Sequence, residues 1–183
     1  MLNWCSTSYV VSGPKNNVRS LYDRIKCVRN KKWLGNLVSR LGVEWLTINC
    51  RGDWSNLRMK DGNLLFDTQT AWSRCEDLED IIKHKYPDLS VWFLSEKLGC
   101  DIFETNDATG EIFPKRVIID TEGEEKEYYT YEEALHVLCD KLGLDPETTS
   151  WEQAMKLCKE RNDLQDDAEN EAHIWVHEVE IVS

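Results

Sequence analysis

Alternating apolar and polar residues at the start of the chain predict a strand followed by a helix. The segment CSTSYVVSG, residues 5–13, alternates as a half-buried strand does. Gly13 and Pro14 then interrupt the pattern, and proline suits the first turn of a helix. Apolar residues next recur at helical spacing, at Val18, Leu21, Tyr22, Ile25 and Val28.

A short helical segment and a hairpin are predicted next. The segment KWLGNLVSRLG, residues 32–42, is expected to bury Trp33, Leu34, Leu37 and Leu41 and to end at Gly42. The following segment, residues 54–70, has two extended arms around Asp61-Gly62. This dipeptide tolerates positive φ and therefore favours the two-residue type I′ turn of a β-hairpin.

A second long helix and another strand complete the first part of the pattern. Ser73 with Glu76 three residues later forms a capping-box pattern, and Trp72 is interpreted as a hydrophobic staple between strand and helix. The apolar side of that helix is Cys75, Leu78, Ile81, Ile82 and Tyr86, and the helix is expected to end at Pro87. The segment LSVWFLS, residues 89–95, predicts a strand. The order β-α-β-β-α-β is the split, ferredoxin-like arrangement, with an antiparallel sheet and both helices on one face.

The latter part of the chain predicts an additional hairpin and a helical extension. Residues 100–120 read as a hairpin that turns near residues 108–110. Capping-box patterns at Thr130/Glu133 and Ser150/Gln153 begin two more helices. Residues 172–182 alternate as a strand, with Trp175, Val179 and Ile181 as its apolar face. The sequence thus predicts an α+β fold with a ferredoxin-like domain at residues 1–123, including a basic helical insertion near residues 31–41, and an acidic helical extension at residues 124–183 that ends in a strand.

Composition is typical of a folded protein of the cytoplasm. The chain has 183 residues, of which 41% are hydrophobic, and its four prolines are scattered. No apolar run approaches the roughly 20 residues that a membrane span needs, and the first residues lack the features of a secretory signal. Seven cysteines without a Cys-x-x-Cys motif are expected to be buried apolar side chains in a reducing compartment.

The net charge of −12 is unevenly distributed along the chain. Residues 1–60 carry eleven Lys and Arg against three acidic residues, whereas the remaining 123 residues carry eleven against thirty-one. Such asymmetry is typical of a segment that faces nucleic acid or of an acidic segment that faces a protein partner. No membrane association is expected.

Several short motifs follow one another along the chain: NWC at residues 3–5 with SG at 12–13, GDW at 52–54, TAW at 70–72, KYPDL at 85–89 and EKLGCDIF at 96–103. With these motifs in this order the chain resembles the YubB ferredoxin-like family, small proteins carried mainly on bacterial plasmids, phages and other mobile elements. Residues 33–114 are most similar to versions from Bacteroides and relatives. The resemblance covers about residues 1–120, and a basic helical insertion replaces the Pro-containing segment usual after the first helix. It implies a ferredoxin-like fold and a mobile-element setting, without a known reaction.

Motifs of enzyme chemistry are missing from the sequence. It has no phosphate-binding loop, no G-x-S-x-G and no H-E-x-x-H, which favours a non-enzymatic protein, and no catalytic residue, cofactor or metal is assigned. His173 and His177, with Glu169 and Glu178 nearby, would suit a metal on a helix, but on the predicted strand their Cα atoms are roughly 13 Å apart. Catalysis by a Cys-His pair adjacent only in space stays open. Strand-end candidates for a small site are Glu96 and Asp101, with Cys100 between them.

Two sets of residues are candidates for nucleic-acid binding. Aromatic-face candidates, able to stack bases on an open sheet face, are Trp4, Trp54, Trp72 and Trp92. The chain lacks the RNP motif, and packing of the C-terminal segment over that face would bury these residues instead. Candidates for phosphate contact, or alternatively a solvated helix face, are Arg19, Arg24, Lys26, Arg29, Lys31, Lys32 and Arg40.

The sequence favours a non-enzymatic accessory protein of a phage, plasmid or other mobile element. Such a protein would act by binding a host macromolecule, a protein or ribonucleoprotein, and its acidity fits inhibition of a nucleic-acid-targeting defence system. Two alternatives stay open. One is direct binding of RNA or single-stranded DNA, and the other is an enzyme or small-nucleotide binder with a site at the strand ends.

Overall fold

The computed structural model of the protein describes residues 4–97, 100–121, 127–165 and 173–182. These residues form an α+β structure with five helices and nine strands in mixed and antiparallel sheets. The chain divides into two compact units. Unit 1 is Met1–Ala108 with Glu180–Ser183, and unit 2 is Thr109–Val179.

Unit 1 is built on a six-stranded sheet in the order β2-β3-β1-β4-β5-β9. Its strands are β1 (Trp4–Ser12), β2 (Gly52–Lys60), β3 (Asn63–Ala71), β4 (Ser90–Lys97), β5 (Ile102–Thr105) and β9 (Glu180–Ile181). All neighbouring pairs are antiparallel except β5 and β9, which are parallel. Its helices are α1 (Lys15–Lys26), α2 (Leu34–Leu41) and α3 (Asp77–Lys85), with a 3₁₀ turn at Trp45–Thr47.

One hydrophobic core joins the three helices of unit 1 to a single face of the sheet. Tyr9 and Val11 of β1 alternate with exposed or half-buried residues, as the period of two in a strand requires. They pack in one cluster with Val18, Leu21 and Ile25 of α1, Leu34, Leu37 and Leu41 of α2, Leu78 and Ile82 of α3, and Leu64, Phe66, Val91 and Phe93 of β3 and β4. The helical periodicity of the sequence therefore identified the buried faces of α1 and α3, and that of α2 except for Trp33, which is 36% exposed.

The local turn signals of unit 1 are largely confirmed. Asp61 and Gly62 have φ of 52° and 84°, as a type I′ turn requires, and Lys60 pairs with Asn63 across it. Gly42 ends α2 with φ of 97°, in the left-handed region where glycine carries no Cβ penalty.

The predicted capping box before α3 is wrong. Among the described residues Ser73 makes no capping bond to Glu76, and Glu76 itself precedes the first helical residue, Asp77. The Thr70 hydroxyl instead donates to the Ser73 carbonyl at 2.7 Å, and Trp72 reverses the chain with φ of 76°. This tight turn holds Ser73 outside the helix, so its hydroxyl does not reach the first helical N–H groups.

Unit 2 combines a three-stranded sheet, in the order β7-β6-β8, with two helices. The strands are β6 (Val117–Thr121), β7 (Glu127–Tyr129) and β8 (Ile174–Glu178), and the helices are α4 (Tyr131–Leu142) and α5 (Trp151–Gln165). Both predicted capping boxes form: Thr130 and Glu133 bond reciprocally, as do Ser150 and Gln153. The core cluster comprises Val117, Ile119, Ala134, Leu138, Cys139, Ala154, Cys158 and Ile174.

The additional hairpin predicted within residues 100–120 is not formed. β5 pairs with β4 and β9, whereas β6 pairs with β7 and β8 in the other sheet. Residues 102–105 and 117–121 form two strands as expected, but the local pattern of a strand does not specify its partner. Of the apolar face predicted for the last strand, Val179 is buried as expected, but Trp175 and Ile181 are exposed and Ile174 is buried instead.

Candidate binding surface

The four tryptophans predicted for one open sheet face do not share a surface. Trp54 is 2% exposed on the helix-covered face, where its Nε1 donates to the Lys31 carbonyl at 3.0 Å. Trp4 and Trp92 lie on the opposite face. Because Trp92 pairs with Val10, the two indoles are separated by about six residues, roughly 20 Å along the strand. Trp72 is 54% exposed in the turn before α3, so it is neither a core residue nor a staple.

The predicted basic residues form small local groups on the surface of unit 1. Arg19 pairs with Asp23 at 3.1 Å, and Arg19 and Lys26 both lie beside the Tyr22 ring. Arg24 and Arg40 each donate to the other's backbone carbonyl at 3.4 Å. The other three predicted positions lie in the exposed connection from α1 to α2, and they are Arg29, Lys31 and Lys32.

The predicted strand-end residues and the two histidines lie on or next to strands. Glu96 lies on β4 opposite Phe103, and Asp101 lies in the following turn with φ of 50°. His173 stacks on Trp175 with ring centres 5.5 Å apart, and His177 lies on β8 opposite Ile118. Glu169 lies outside the described residues. Within the described ranges no group of three or more His, Cys, Asp or Glu side chains is arranged to hold a metal ion.

The structure instead brings two other tryptophans together at a groove in unit 1. Trp33 and Trp45 meet edge to face with ring centres 4.7 Å apart, and they are 36% and 39% exposed. Leu46 beside them is 68% exposed. The groove has a volume of about 280 Å³, and we call it the indole groove; it is lined by Trp33, Trp45, Leu46, Ile48, Asn49, Cys50 and Arg51.

Backbone contacts hold the indole groove in shape. The N–H of Trp54 donates to the Lys32 carbonyl at 2.7 Å, so β2 fixes the segment that carries Trp33. A Cβ at Gly35 would lie 2.4 to 2.7 Å from atoms of the Trp33 ring, which therefore rests directly on the first turn of α2. The Cys50 thiol donates to the Trp45 carbonyl at 3.7 Å. The segments that carry both indoles are thus held in place by the rest of unit 1.

A buried polar cluster lies elsewhere in unit 1. Arg74 forms an ion pair with Glu79, and the two side chains are only 13% and 11% exposed. The Arg74 guanidinium also lies 4.0 Å from the centre of the Phe93 ring. Asn106 donates to Glu79 at 3.3 Å and to the Val91 carbonyl at 2.9 Å, and it accepts from the Phe93 N–H. The cluster therefore ties the β3–α3 turn to α3, β4 and the end of β5.

Burial raises the pKa of the cysteines for which a shift is resolved. The pKa of Cys75 is raised to about 12, and the pKa values of Cys50 and Cys158 are also raised, in each case chiefly by burial. Burial likewise raises the pKa of Tyr9, with further contributions from Cys75 and Glu79. A catalytic thiol needs the opposite shift, because the thiolate is the nucleophile. These three cysteines are buried, as predicted for all seven, whereas Cys27 and Cys100 are exposed and differ from that prediction.

The buried Glu79 predicts a specific pH dependence of stability. Burial raises the pKa of Glu79 above its ordinary value of about 4.5, although Arg74 and Lys83 lower it. The contribution of this group to the free energy of unfolding is therefore full below about pH 4.5 and is lost as pH rises through the folded-state pKa. We expect the wild type to lose stability relative to Glu79→Gln over that interval. Urea unfolding at pH values from 4 to 7 measures the difference.

Glu133 provides a control of opposite sign for this experiment. Its hydrogen bonds to the backbone and side chain of Thr130 lower its pKa. Its contribution is therefore present above the unfolded-state value and is lost as pH falls. The wild type should gain stability relative to Glu133→Gln as pH rises. An equal pH trend for the two variants would contradict the assignment.

Unit 2 also carries a groove, with a volume of about 680 Å³. Its polar residues include Lys141, whose Nζ donates to the Thr121 hydroxyl at 3.3 Å, and Tyr129, whose hydroxyl donates to Glu127. The full lining is Ile119, Thr121, Glu127, Tyr129, His136, Val137, Asp140 and Lys141.

The charge of the chain divides sharply between the two units. Unit 1 contains 15 Lys and Arg and 15 Asp and Glu, whereas unit 2 contains 7 and 19. The entire net charge of −12 therefore lies in unit 2. No helix within the described ranges is both long enough and apolar enough to span a bilayer.

Comparison with protein-family models and with curated proteins finds no match to this chain.

Sequence reasoning missed the indole groove because Trp33 was assigned to the buried side of α2. Two signals in the sequence point toward it. Gly35 follows Trp33 by two residues inside a helical pattern, where a glycine needs a packing reason. The adjacent apolar pair Trp45-Leu46 has neither strand nor helix periodicity around it. A pair of this kind indicates that at least one of the two side chains faces solvent.

Proposed function

We propose that this protein is a non-enzymatic interaction protein whose unit 1 binds a host protein through the indole groove. The observation that carries the proposal is the pair of partly exposed indoles beside the exposed Leu46. Tryptophan and arginine are the residues most enriched at binding hot spots, and Arg51 lines the same groove. Apolar anchors with a polar rim are typical of protein interfaces.

Strand order supports a ferredoxin-like assignment for residues 4–97. The order β2-β3-β1-β4, antiparallel at every step, with α1 and α3 in one core, is what a split β-α-β arrangement requires. In this assignment β5 and β9 extend the sheet at one edge, and α2 with the 3₁₀ turn forms the insertion that carries the indole groove.

The narrower proposal concerns the setting and the partner. The resemblance to the YubB ferredoxin-like family supports a mobile-element protein that acts in the bacterial cytoplasm. The net charge of −12 in unit 2 supports inhibition of a nucleic-acid-targeting defence enzyme, because spaced carboxylates imitate a nucleic-acid backbone in a basic groove. Unit 1 would then supply the apolar anchor, and unit 2 the electrostatic attraction.

Direct binding of RNA or single-stranded DNA is the second candidate. The observation that favours it is the position of Arg51 in the groove and of Lys31 and Lys32 just before Trp33. Single-stranded nucleic acids bind where bases stack on aromatic rings beside cationic side chains.

Retention of a host protein from a bacterial lysate tests the proposal. We expect the tagged full chain to retain a specific protein after nuclease treatment, and the variant Trp45→Ala/Leu46→Ala to lose at least about tenfold in affinity, since a hot-spot truncation of about 2 kcal/mol exceeds one factor of ten. Binding can be quantified by titration with the purified partner.

The matched control is Trp72→Ala. Trp72 is more exposed than either groove indole and does not line the groove, so its removal should leave binding unchanged. Equal retention by Trp45→Ala/Leu46→Ala and Trp72→Ala would refute the role of the groove. Binding that disappears on nuclease treatment would favour the nucleic-acid candidate instead.

A further inference from the structure

A second groove of unit 1 lies beside the indole groove. Ile48 lines both grooves, so the two are neighbours. The second has a volume of about 670 Å³, and we call it the acidic groove; it is lined by Leu41, Gly42, Val43, Ile48, Asp77, Asp80, Ile81, His84 and Lys85. Its size is within the range usual for ligand sites.

The acidic groove combines an apolar floor with two carboxylates. Leu41 and Ile81 are buried, and Val43 and Ile48 are half-buried and pack against the hydrophobic core. Asp77 and Asp80 are exposed and three residues apart in α3, so they share one side of the helix. A cavity of this kind suits a side chain with an apolar stem and a cationic end.

The groove lining carries two carboxylates, Asp77 and Asp80, and one lysine, Lys85, so its formal charge is −1. The Lys85 Nζ donates to the Leu41 carbonyl at 2.8 Å, at the C-terminal end of α2. Within the ranges that the structure describes, neither Asp77 nor Asp80 has a basic side chain at ion-pair distance. Their position in the first turn of α3 favours negative charge through the helix dipole.

We infer that the acidic groove takes a Lys or Arg side chain of the same protein partner that the indole groove anchors, an inference that rests on the proposed function. The aliphatic stem would lie on Leu41, Val43 and Ile48, as long basic side chains do on apolar surfaces. The cationic head would make charge-assisted hydrogen bonds to Asp77 and Asp80. The shared residue Ile48 allows one partner segment to reach both grooves.

Titration with n-butylguanidinium, followed by ¹H–¹⁵N correlation spectra of the full chain, tests the inference without a partner. We expect shifts of backbone amides in residues 41–48 and 77–85. We expect the uncharged isostere n-butylurea to bind at least about fivefold more weakly. The variant Asp77→Asn/Asp80→Asn should bind n-butylguanidinium at least about fivefold more weakly than the wild type does. If the double variant is misfolded, the single variant Asp80→Asn replaces it in the titration.

Asp61→Asn is the control, because it removes one exposed carboxylate while keeping a residue that suits the type I′ turn. Equal binding of the two probes, or undiminished binding in the Asp77 and Asp80 variants, would overturn the inference. The result is independent of the indole groove, since Trp45→Ala/Leu46→Ala should titrate as the wild type. A positive titration with no retained host protein would refute the proposed function and the shared partner, while the groove's preference for a cationic side chain would stand.

Discussion

Replacement of Glu79 by alanine is expected to destabilise the protein by about 3–5 kcal/mol, the usual effect of removing one partner from a buried ion pair. Arg74 is 13% exposed, so the variant leaves an uncompensated charge against the Phe93 ring. Asn106 also loses one of its acceptors. Equilibrium unfolding in urea, followed by far-UV circular dichroism, measures the change in midpoint.

Two further variants distinguish the effect of leaving one buried charge unpaired from the effect of removing the ion pair itself. The double variant Arg74→Met/Glu79→Leu removes both charges with similar volume, and it should lie within about 1 kcal/mol of the wild type, or be more stable. The exposed pair Arg19–Asp23 is the surface control, and Asp23→Ala should change stability by less than about 1 kcal/mol. Equal effects of Glu79→Ala and Asp23→Ala would show that burial does not dominate.

The effect of Gly35→Ala on the stability of the protein is expected to change sign with the residue at position 33. In the wild type the new Cβ meets the Trp33 ring at 2.4 Å, and overpacking of this kind destabilises by about 1–3 kcal/mol. In a Trp33→Ala background the clash is gone, and alanine should instead stabilise α2 by up to about 1 kcal/mol through helix propensity. Thermal unfolding of the four proteins of the cycle measures the coupling.

Partner binding gives this cycle an independent readout. Gly35→Ala displaces the Trp33 ring without removing it, so it should weaken partner binding as Trp33→Ala does. If Gly35→Ala destabilises both backgrounds equally, the contact between Gly35 and Trp33 does not shape the groove.

Local signals in the sequence predicted most elements because each depends on a few neighbouring residues. Asp61-Gly62 specified its turn through the backbone freedom of two adjacent residues. Thr130 with Glu133 specified the start of α4 through bonds that span three residues. Helical spacing of Val18, Leu21 and Ile25 likewise predicted the buried face of α1.

The candidate site was predicted far less well, because exposure is decided by the rest of the fold. Trp54 was a candidate either for an open sheet face or for burial under the C-terminal segment, yet the connection from α1 to α2 covers it and accepts its Nε1–H. Trp33 was expected in the core, yet Gly35 lets its ring lie on the outside of α2 beside Trp45. Residue type alone does not distinguish these two tryptophans.

The sequence by itself determined most of the succession of helices and strands, the buried faces of α1 and α3 and several of the turns, since periodicity and capping act over a few residues. Only the tertiary structure decided that β5 and β6 join different sheets, that Arg74 meets Glu79, and that Trp33 meets Trp45. Each of these depends on partners distant along the chain or on which side of a helix stays uncovered. Local patterns do not encode the identity of a distant partner, so the grooves of unit 1 emerge only when the whole unit is folded.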